Sequence, residues 1–289
     1  YAQSGAGKTS LLNARVIPIL EEKGMHVLPV ARVSGTPPAS INPEQVDNVF
    51  VYSALLDLAA ETDLAPEDLL KHTLLSYLQA HAISPSLPDH QQPAEQPMIV
   101  SNQHPVSSFQ QPVLLIFDQF EEIATTHRAH WQEAEGFFHQ VREAIDALPG
   151  LGVLFVLRED YVAELDPYTP LLPSHLQARF RMTPPTRAQA MQIVRGPAEQ
   201  AKCPFTEEAA HNLVQNLSRI KTTSPLRAGT GGGYGQYVEP VQLQVVCQQL
   251  WESLPDAVAD DGVIEWDEIK HYNVDDALTM FYEDTLTQT

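Results

Sequence analysis

Positive charge is scarce in this sequence. Lys and Arg total 17 of 289 residues against 37 Asp and Glu, a formal charge of −20. Such a surface repels a phosphate backbone, which argues against nonspecific nucleic-acid binding by this segment. The few cations carry more information for the same reason, above all one beside a phosphate-binding loop. Cysteine is nearly absent too. Cys203 and Cys247 can build neither a disulfide framework nor a metal-ligand spacing. Both lie in amphipathic helical patterns, which reads as buried thiols in a reducing, cytoplasmic setting. No apolar run approaches the roughly 18 residues of a membrane-spanning helix, so no membrane association is expected. No Gly-x-Ser-x-Gly elbow marks a serine hydrolase. No signal peptide is visible, and no strand precedes the Gly-rich start, so the parent chain is expected to extend upstream.

What is present is enough for a substantial core. Apolar residues make up 43% of the chain. At roughly 100–200 residues per domain the length suggests two domains and the start of a third. Many of the 23 prolines fall in two loose segments, SGTPPASINP at 34–43 and residues 84–112. Residues 84–112 are rich in Pro, Gln and Ser and read as a mobile surface insertion. Residues 222–236 (TTSPLRAGTGGGYGQ) read as a flexible linker; Gly231–Gly233 lack the preceding strand and following Lys of a phosphate loop.

Periodicity places the elements. Residues 10–22 predict a helix with Leu11, Leu12, Val16, Ile19 and Leu20 inward. Residues 25–33 predict a strand, and helices follow at about 48–60 and 66–82. VLLIF at 113–117 is a short unbroken apolar run, suited to a strand buried on both faces of a parallel sheet. A helix over 131–148 carries Phe137, Phe138, Val141, Ile145 and Leu148 at helical spacing and ends at Pro149-Gly150. LGVLFVL at 151–157 predicts a second buried strand, and RFRM at 179–182 a third. Strands alternating with helices predict a parallel α/β sheet. After 186 only helices are expected, at about 187–201, 206–220 and 240–254. The last has Pro240 in its first turn and Leu243, Val246, Cys247, Leu250, Trp251 and Leu254 along one stripe. A further helix starts in 275–289.

Three motifs carry chemistry. SGAGKTS at 4–10 matches the second half of the phosphate-binding loop G-x-x-x-x-G-K-[ST]. Ser4, Gly5, Ala6, Gly7, Lys8, Thr9 and Ser10 are the candidate nucleotide contacts. Gly5 and Gly7 let the backbone turn its N–H groups toward phosphate at a helix N-terminus. Lys8 is placed to reach the β- and γ-phosphates, and the Thr9 hydroxyl to hold Mg²⁺. Ala2 stands where the loop normally starts with Gly, which fits only if its φ stays negative. In VLLIFDQFEE, Asp118 ends a buried strand, matching the carboxylate that supports Mg²⁺. Glu121 and Glu122 follow three and four residues on, where one could orient or deprotonate the attacking water. In GVLFVLREDY, Arg158 follows a strand and would emerge at its carboxyl edge, where open α/β folds bind ligands. It could sense the γ-phosphate and stabilise transition-state charge, or form an ion pair with Glu159 or Asp160. Arg195-Gly196-Pro197 interrupts a helix, and taken alone reads as a helix end. His127, His130 and His139 lack a fixed acidic or Cys ligand and make a poor metal site.

SGAGKTSLL, NVFVYSALLDL, LLIFDQFEE, VLFVLREDYVAEL, GPAEQA and VEPVQLQVVCQQLW, in this order, resemble the novel STAND group of P-loop NTPases (signal transduction ATPases with numerous domains) over nearly the whole chain. The resemblance implies a three-layer α/β P-loop core with a five-stranded parallel sheet and an extra strand between the P-loop strand and the Asp118 strand. It implies a nucleotide-binding domain over 1–186, a helical lid over 187–255 and a winged-helix domain starting within 256–289, near 262. It assigns Lys8 and Thr9 to the P-loop, Asp118 to Mg²⁺, Glu121 or Glu122 to acid–base catalysis, Arg158 to sensing and Pro197 to the base. It implies ATP and ADP with Mg²⁺ as ligands, self-association on activation, and effector and sensor-repeat domains elsewhere in the parent protein. The leading expectation is a slow, regulated ATPase switch. A non-hydrolysing nucleotide-bound scaffold and a metabolic kinase are the alternatives. All depend on the Lys8 ammonium and the Asp118 carboxylate meeting at one rim of the sheet.

Overall fold

The structure, a computed structural model, describes residues 1–82, 111–218, 235–254 and 262–270. Nearly all of the 84–112 insertion, most of the 222–236 linker and the helix expected within 275–289 lie outside the described residues. The chain divides into two compact units, Tyr1–Ser4 with Lys8–Arg181, and Gly5–Gly7 with the segment from Met182 onward.

In the first unit a helical run opens at Lys8: α1 (Lys8–Leu11), a π-helical turn (Leu12–Val16) and α2 (Ile17–Glu22). The π-turn has a local cause. Pro18 cannot donate to the carbonyl of Ala14 and its ring crowds that group. The helix widens instead, and Ile17 N–H bonds Leu12 O, five residues back. The extra residue shifts the phase of the helix. Of the five positions expected inward only Leu12 is buried, and Leu11 is 42% exposed.

The expected strand at 25–33 is reduced to β1 (His26–Val27). Its ladder to the next strand continues irregularly. Leu28 N–H bonds Leu114 O at 3.0 Å, and the following bond is made by Ala31 N–H to Ile116 O at 2.9 Å. Three residues on one strand thus span two on its neighbour, a bulge at Pro29-Val30. Pro29 has no N–H to give. Beyond it α3 (Val49–Leu58) is buried along most of its length and capped by Asn48. The second helix expected there is two short ones, α4 (Pro66–Leu69) and α5 (Leu74–Tyr77). Thr73 and Ser76 form a capping box that starts the chain afresh at Leu74.

β2 (Val113–Phe117), α6 (Glu122–Thr125), α7 (Glu133–Ala147) and β3 (Leu151–Phe155) follow. The sheet has the order β1-β2-β3 and both pairings are parallel. Leu115, Ile116 and Phe117 are all 0% exposed. Successive strand residues point to opposite faces, so β2 is covered on both sides, as its unbroken apolar run predicts. β3 departs from expectation, being buried only at Leu151 and half-buried at Val153 to Phe155. Among the described residues no strand pairs with its outer edge along 151–155. Only the bridge between Ala2 and Arg158 lies on that side. The chain entering the glycine loop is thus separated from β2 by β3, the interposed strand that the resemblance implies. RFRM forms no strand, and Phe180 is 76% exposed. Its alternate arginines are held by ion pairs instead, Arg179 to Asp166 at 3.6 Å and Arg181 to Glu159 at 2.8 Å. Three described strands stand where five were implied.

The core of this unit is aromatic. Phe117, Phe120, Phe137 and Phe138 are each 0% exposed. Phe120 alone has ring neighbours at 5.9, 5.7, 5.8 and 4.5 Å in Phe117, Phe137, Phe138 and Phe155. The cluster ties α7, β2 and β3 to the turn that follows Asp118.

The second unit is helical: α8 (Arg187–Gln200), α9 (Glu207–Leu217), α10 (Pro240–Ser253) and the short α11 (Trp266–Ile269). Thr186 and Thr206 cap α8 and α9 by accepting from Gln189 and Ala209 N–H. Pro197 lies inside α8, which runs through it to Gln200 rather than ending. Along α10, Leu243, Val246, Leu250 and Leu254 are buried as the stripe predicts, whereas Trp251 is 45% exposed. Ile264 bridges Phe205, and Ile264 and Ile269 join the same apolar cluster as the three long helices. Burial pushes the Cys247 thiol up to about 11.

Two outcomes follow. Phe120→Ala lowers unfolding free energy by about 3–5 kcal/mol, whereas Trp131→Ala, at a site 65% exposed, changes it by less than about 0.5 kcal/mol; urea titration of each variant measures both. At pH 8 about a thousandth of Cys247 is thiolate in the folded protein. Its alkylation by iodoacetamide, followed by peptide mass spectrometry, therefore accelerates on unfolding, and folded-state labelling gains tenfold per pH unit up to about pH 11.

Candidate nucleotide site

The three strands are parallel, so their carboxyl ends share one rim, and Arg32, Asp118 and Arg158 lie past those ends. Arg32 follows Ala31, which bridges Phe117; Asp118 follows β2; Arg158 lies past β3. Asp118 N–H donates to Ala31 O at 3.0 Å, and Phe120 N–H to Val156 O at 2.9 Å. The turn after β2 is thereby fixed on both flanks.

Thr9, which follows the glycine loop, reaches this rim. Gly5 has φ +70° and Gly7 φ +80°, the left-handed region in which an L side chain is strained. Ala2 does not have a positive φ, is wholly buried, and holds the strand-like bridge with Ala2 N–H to Leu157 O at 3.3 Å and Glu159 N–H to Ala2 O at 2.8 Å. Alanine therefore fits where the motif normally has glycine. The loop's end meets the acidic residue directly: Thr9 Oγ1 donates to Asp118 Oδ2 at 2.6 Å. The Lys8 ammonium donates to Gln3 O at 3.2 Å, folded back on its own loop. Ser4 and Ser10 are exposed and Ala6 is buried.

Asp118 is 1% exposed, and its other oxygen, Oδ1, has no hydrogen-bond partner. Among the described residues the buried side-chain polar atoms without a partner are Asp118 Oδ1, Glu122 Oε2, Arg158 Nε and His127 Nε2. Three of these four belong to the motifs. An unpaired buried polar atom costs about 1–3 kcal/mol, and such groups concentrate where a ligand completes the pairing. A hydroxyl and a carboxylate with a spare oxygen are hard oxygen donors, the set that suits Mg²⁺ beside phosphate. The residues present fit that ion.

Glu121 and Glu122 diverge. Glu121 Oε2 accepts the backbone N–H of Arg158 at 3.1 Å. Gln119, with φ 53°, places its carboxamide between Glu122 and Arg32. Oriented to satisfy both ends, it donates to Glu122 Oε1 at 3.0 Å and accepts from Arg32 Nη2 at 3.1 Å. Arg158 Nη2 pairs with Asp160 Oδ2 at 2.7 Å, and its guanidinium lies 5.5 Å from the Tyr161 ring centroid. That hydrogen bond to Asp160 raises the guanidinium above its ordinary value, chiefly ahead of smaller charge effects. The ion pair weighed for Arg158 is thus formed, while its Nε stays unpaired.

Pro197 belongs to the helical unit. It is exposed and lines an open apolar pocket of about 380 Å³ with Ile193, Phe205, Cys247, Leu250 and Trp251. His127 lies against the Phe50 ring, His130 pairs with Glu133, and His139 with Glu135. Sequence reasoning missed Arg32 and Gln119. Arg32 fell inside the expected strand, yet the scarcity of cations was a signal available for it. Nothing in the pattern marks Gln119.

A glycine loop turning into a helix, a hydroxyl on a strand-end aspartate and a parallel sheet define a P-loop NTPase module. The sequence model described as Novel STAND NTPase 1 matches residues 1–253, and the chain belongs to that family. Comparison with curated proteins gave no match. Among solved structures the chain is similar to the Aeropyrum pernix ORC2 protein in its ADPNP-ADP complexes, with TM-score 0.51 and 15% identity, over 97% of this chain and 61% of that one. The ADP form of the same protein gives TM-score 0.47 at 15% identity, over 96% and 61%. The chain spans about three-fifths of the ORC2 chains it matches.

Thr9→Val tests the central contact. In nucleotide-free protein it leaves both Asp118 oxygens buried and unpaired, and lowers stability by about 1–3 kcal/mol, read by thermal unfolding.

Proposed function

We propose that this chain is the ATP-binding and ATP-hydrolysing regulatory module of a multidomain signalling protein, with nucleotide state controlling self-association. One observation carries the reading: the Thr9 hydroxyl on Asp118, with Asp118 Oδ1 buried and unpaired. Family membership supports nucleotide hydrolysis as the class of chemistry. The ADPNP and ADP named for the ORC2 structures support an adenine nucleotide.

In this reading Ser4 to Ser10 wrap the phosphates with backbone N–H groups. Lys8 swings from Gln3 O to the β- and γ-oxygens, a short move for a flexible four-carbon stem. Thr9 and Asp118 would hold Mg²⁺, which when bound neutralises charge on the phosphate oxygens. Glu121 or Glu122 meets the attacking water. Arg158 leaves Asp160 for the γ-phosphate; its present ion pair is solvent-exposed and worth little. The helical segment 187–255 serves as a lid with Pro197 against the base, and the segment from 256 begins a winged-helix domain.

A triphosphate shifts such a switch only through its differential affinity for the two states. Inverting a 1:99 equilibrium takes about 5.5 kcal/mol of that difference. The γ-phosphate, engaged by Lys8 and Arg158 together, is the group whose loss on hydrolysis removes it. Self-association follows from the closed state, and effector and sensor segments would lie elsewhere in the parent protein, in the cytoplasm.

Lys8→Ala is expected to abolish ATP binding, measured by equilibrium titration with a fluorescent ATP analogue. Binding equal to that of the unaltered protein would refute the site. Phosphate release by the unaltered protein distinguishes the ATPase from a nucleotide-bound scaffold, which would bind ATP and release none.

A further inference from the structure

The two glutamates after β2 are chemically equivalent in sequence but not in place. Glu121 uses Oε2 to accept the Arg158 backbone N–H at 3.1 Å. That bond fastens the Asp118 turn to the chain leaving β3, and it needs an acceptor rather than a base. Glu122 is held differently. Its Oε1 receives the Gln119 amide at 3.0 Å, and its Oε2 is buried with no partner. A base needs one oxygen fixed and the other free; each glutamate has one oxygen fixed, but of the two only Glu122 keeps its free oxygen buried without a partner.

The holder of Glu122 is itself held. Gln119 sits at φ 53°, a conformation that strains a residue with a Cβ. Its carboxamide oxygen accepts from Arg32 Nη2 at 3.1 Å. Arg32 is pinned at both backbone ends to α3: its N–H donates to Asp57 Oδ2 at 2.7 Å, and its carbonyl accepts from Ser53 Oγ at 3.2 Å. A continuous set of polar contacts therefore runs from α3 through Arg32 and Gln119 to Glu122. Removing a link frees the carboxylate to rotate without touching the phosphate loop.

We propose that Glu122, not Glu121, takes the proton from the attacking water, and that Gln119 and Arg32 are its positioning residues. This rests on the ATPase reading above. In the step, the water oxygen forms a bond to the γ-phosphorus as the bond from that phosphorus to the β,γ-bridging oxygen breaks. The bridging electron pair leaves with ADP, and the water proton passes to Glu122 Oε2. Glu121 keeps the turn closed.

The test measures ATP binding by fluorescent-analogue titration and hydrolysis by single-turnover phosphate release, on the same protein samples. Glu122→Gln is expected to bind ATP within about threefold of the unaltered protein and to lose about 10²–10⁴-fold in hydrolysis. Glu121→Gln keeps an acceptor for the Arg158 N–H and loses less than about tenfold. Gln119→Gly removes the carboxamide and relieves the left-handed φ, so it does not lower the thermal midpoint; it and Arg32→Ala lower kcat about tenfold with KM within about twofold. Neither adds further loss in a Glu122→Gln background, because the group they position is gone. Arg32→Lys recovers part of the rate. A larger loss from Glu121→Gln than from Glu122→Gln overturns the assignment while leaving the ATPase reading intact. Full additivity of Gln119→Gly with Glu122→Gln overturns the positioning role. Absence of hydrolysis by the unaltered protein, with ATP bound, overturns the ATPase reading and this assignment with it.

Discussion

The hydrogen bond from Thr9 to Asp118 joins two segments 109 residues apart in sequence. One ends the glycine loop and the other ends the most buried strand. Neither could make the contact without the parallel sheet, because the loop enters on the far side of β3 and the aspartate leaves from β2. The bond works in a site where Asp118 is almost fully enclosed, so its strength is not diluted by water. It also leaves the carboxylate half-satisfied. The molecule carries a buried, unpaired carboxylate oxygen at the end of its most buried strand.

That cluster gives the site its rigidity. Phe120 is both a core residue and the second residue of the turn after Asp118, so the same side chain that packs against Phe117, Phe137 and Phe155 sets where Gln119, Glu121 and Glu122 emerge. Packing and chemistry share one short segment. The excess of negative charge across the chain sharpens the arrangement, since Lys8, Arg32 and Arg158 are three of only 17 cations and each lies just past the glycine loop or a strand end.

Much of this was legible because it rests on local pattern. VLLIF reads as a doubly covered strand, and it is one, with Asp118 at its end. SGAGKT reads as a phosphate loop, and its two glycines adopt the positive φ that the motif requires. The helices of the second unit announce themselves through caps and periodicity. What failed depended on neighbours in space. Leu11 turned outward because Pro18 forces a π-turn upstream of itself. RFRM has strand-like alternation but no partner edge, and ion pairs with the acidic stretch at 159–166 hold it instead. β3 is half-exposed because among the described residues little pairs with its outer side. The difference between Glu121 and Glu122 cannot be read from two adjacent identical letters; it arises from what Arg158 and Gln119 present to each.

The bulge at Pro29-Val30 has a consequence beyond local geometry. Among the described residues β1 is the outermost strand on its side of the sheet, and the outer flank of such a strand normally offers a regular row of donors and acceptors to any extended chain that drifts past. Here the row is interrupted after a few residues: proline supplies no donor, and the slipped spacing beyond it puts the next amide out of step. A foreign strand could therefore not zip along this flank, which protects the protein from clumping through its sheet.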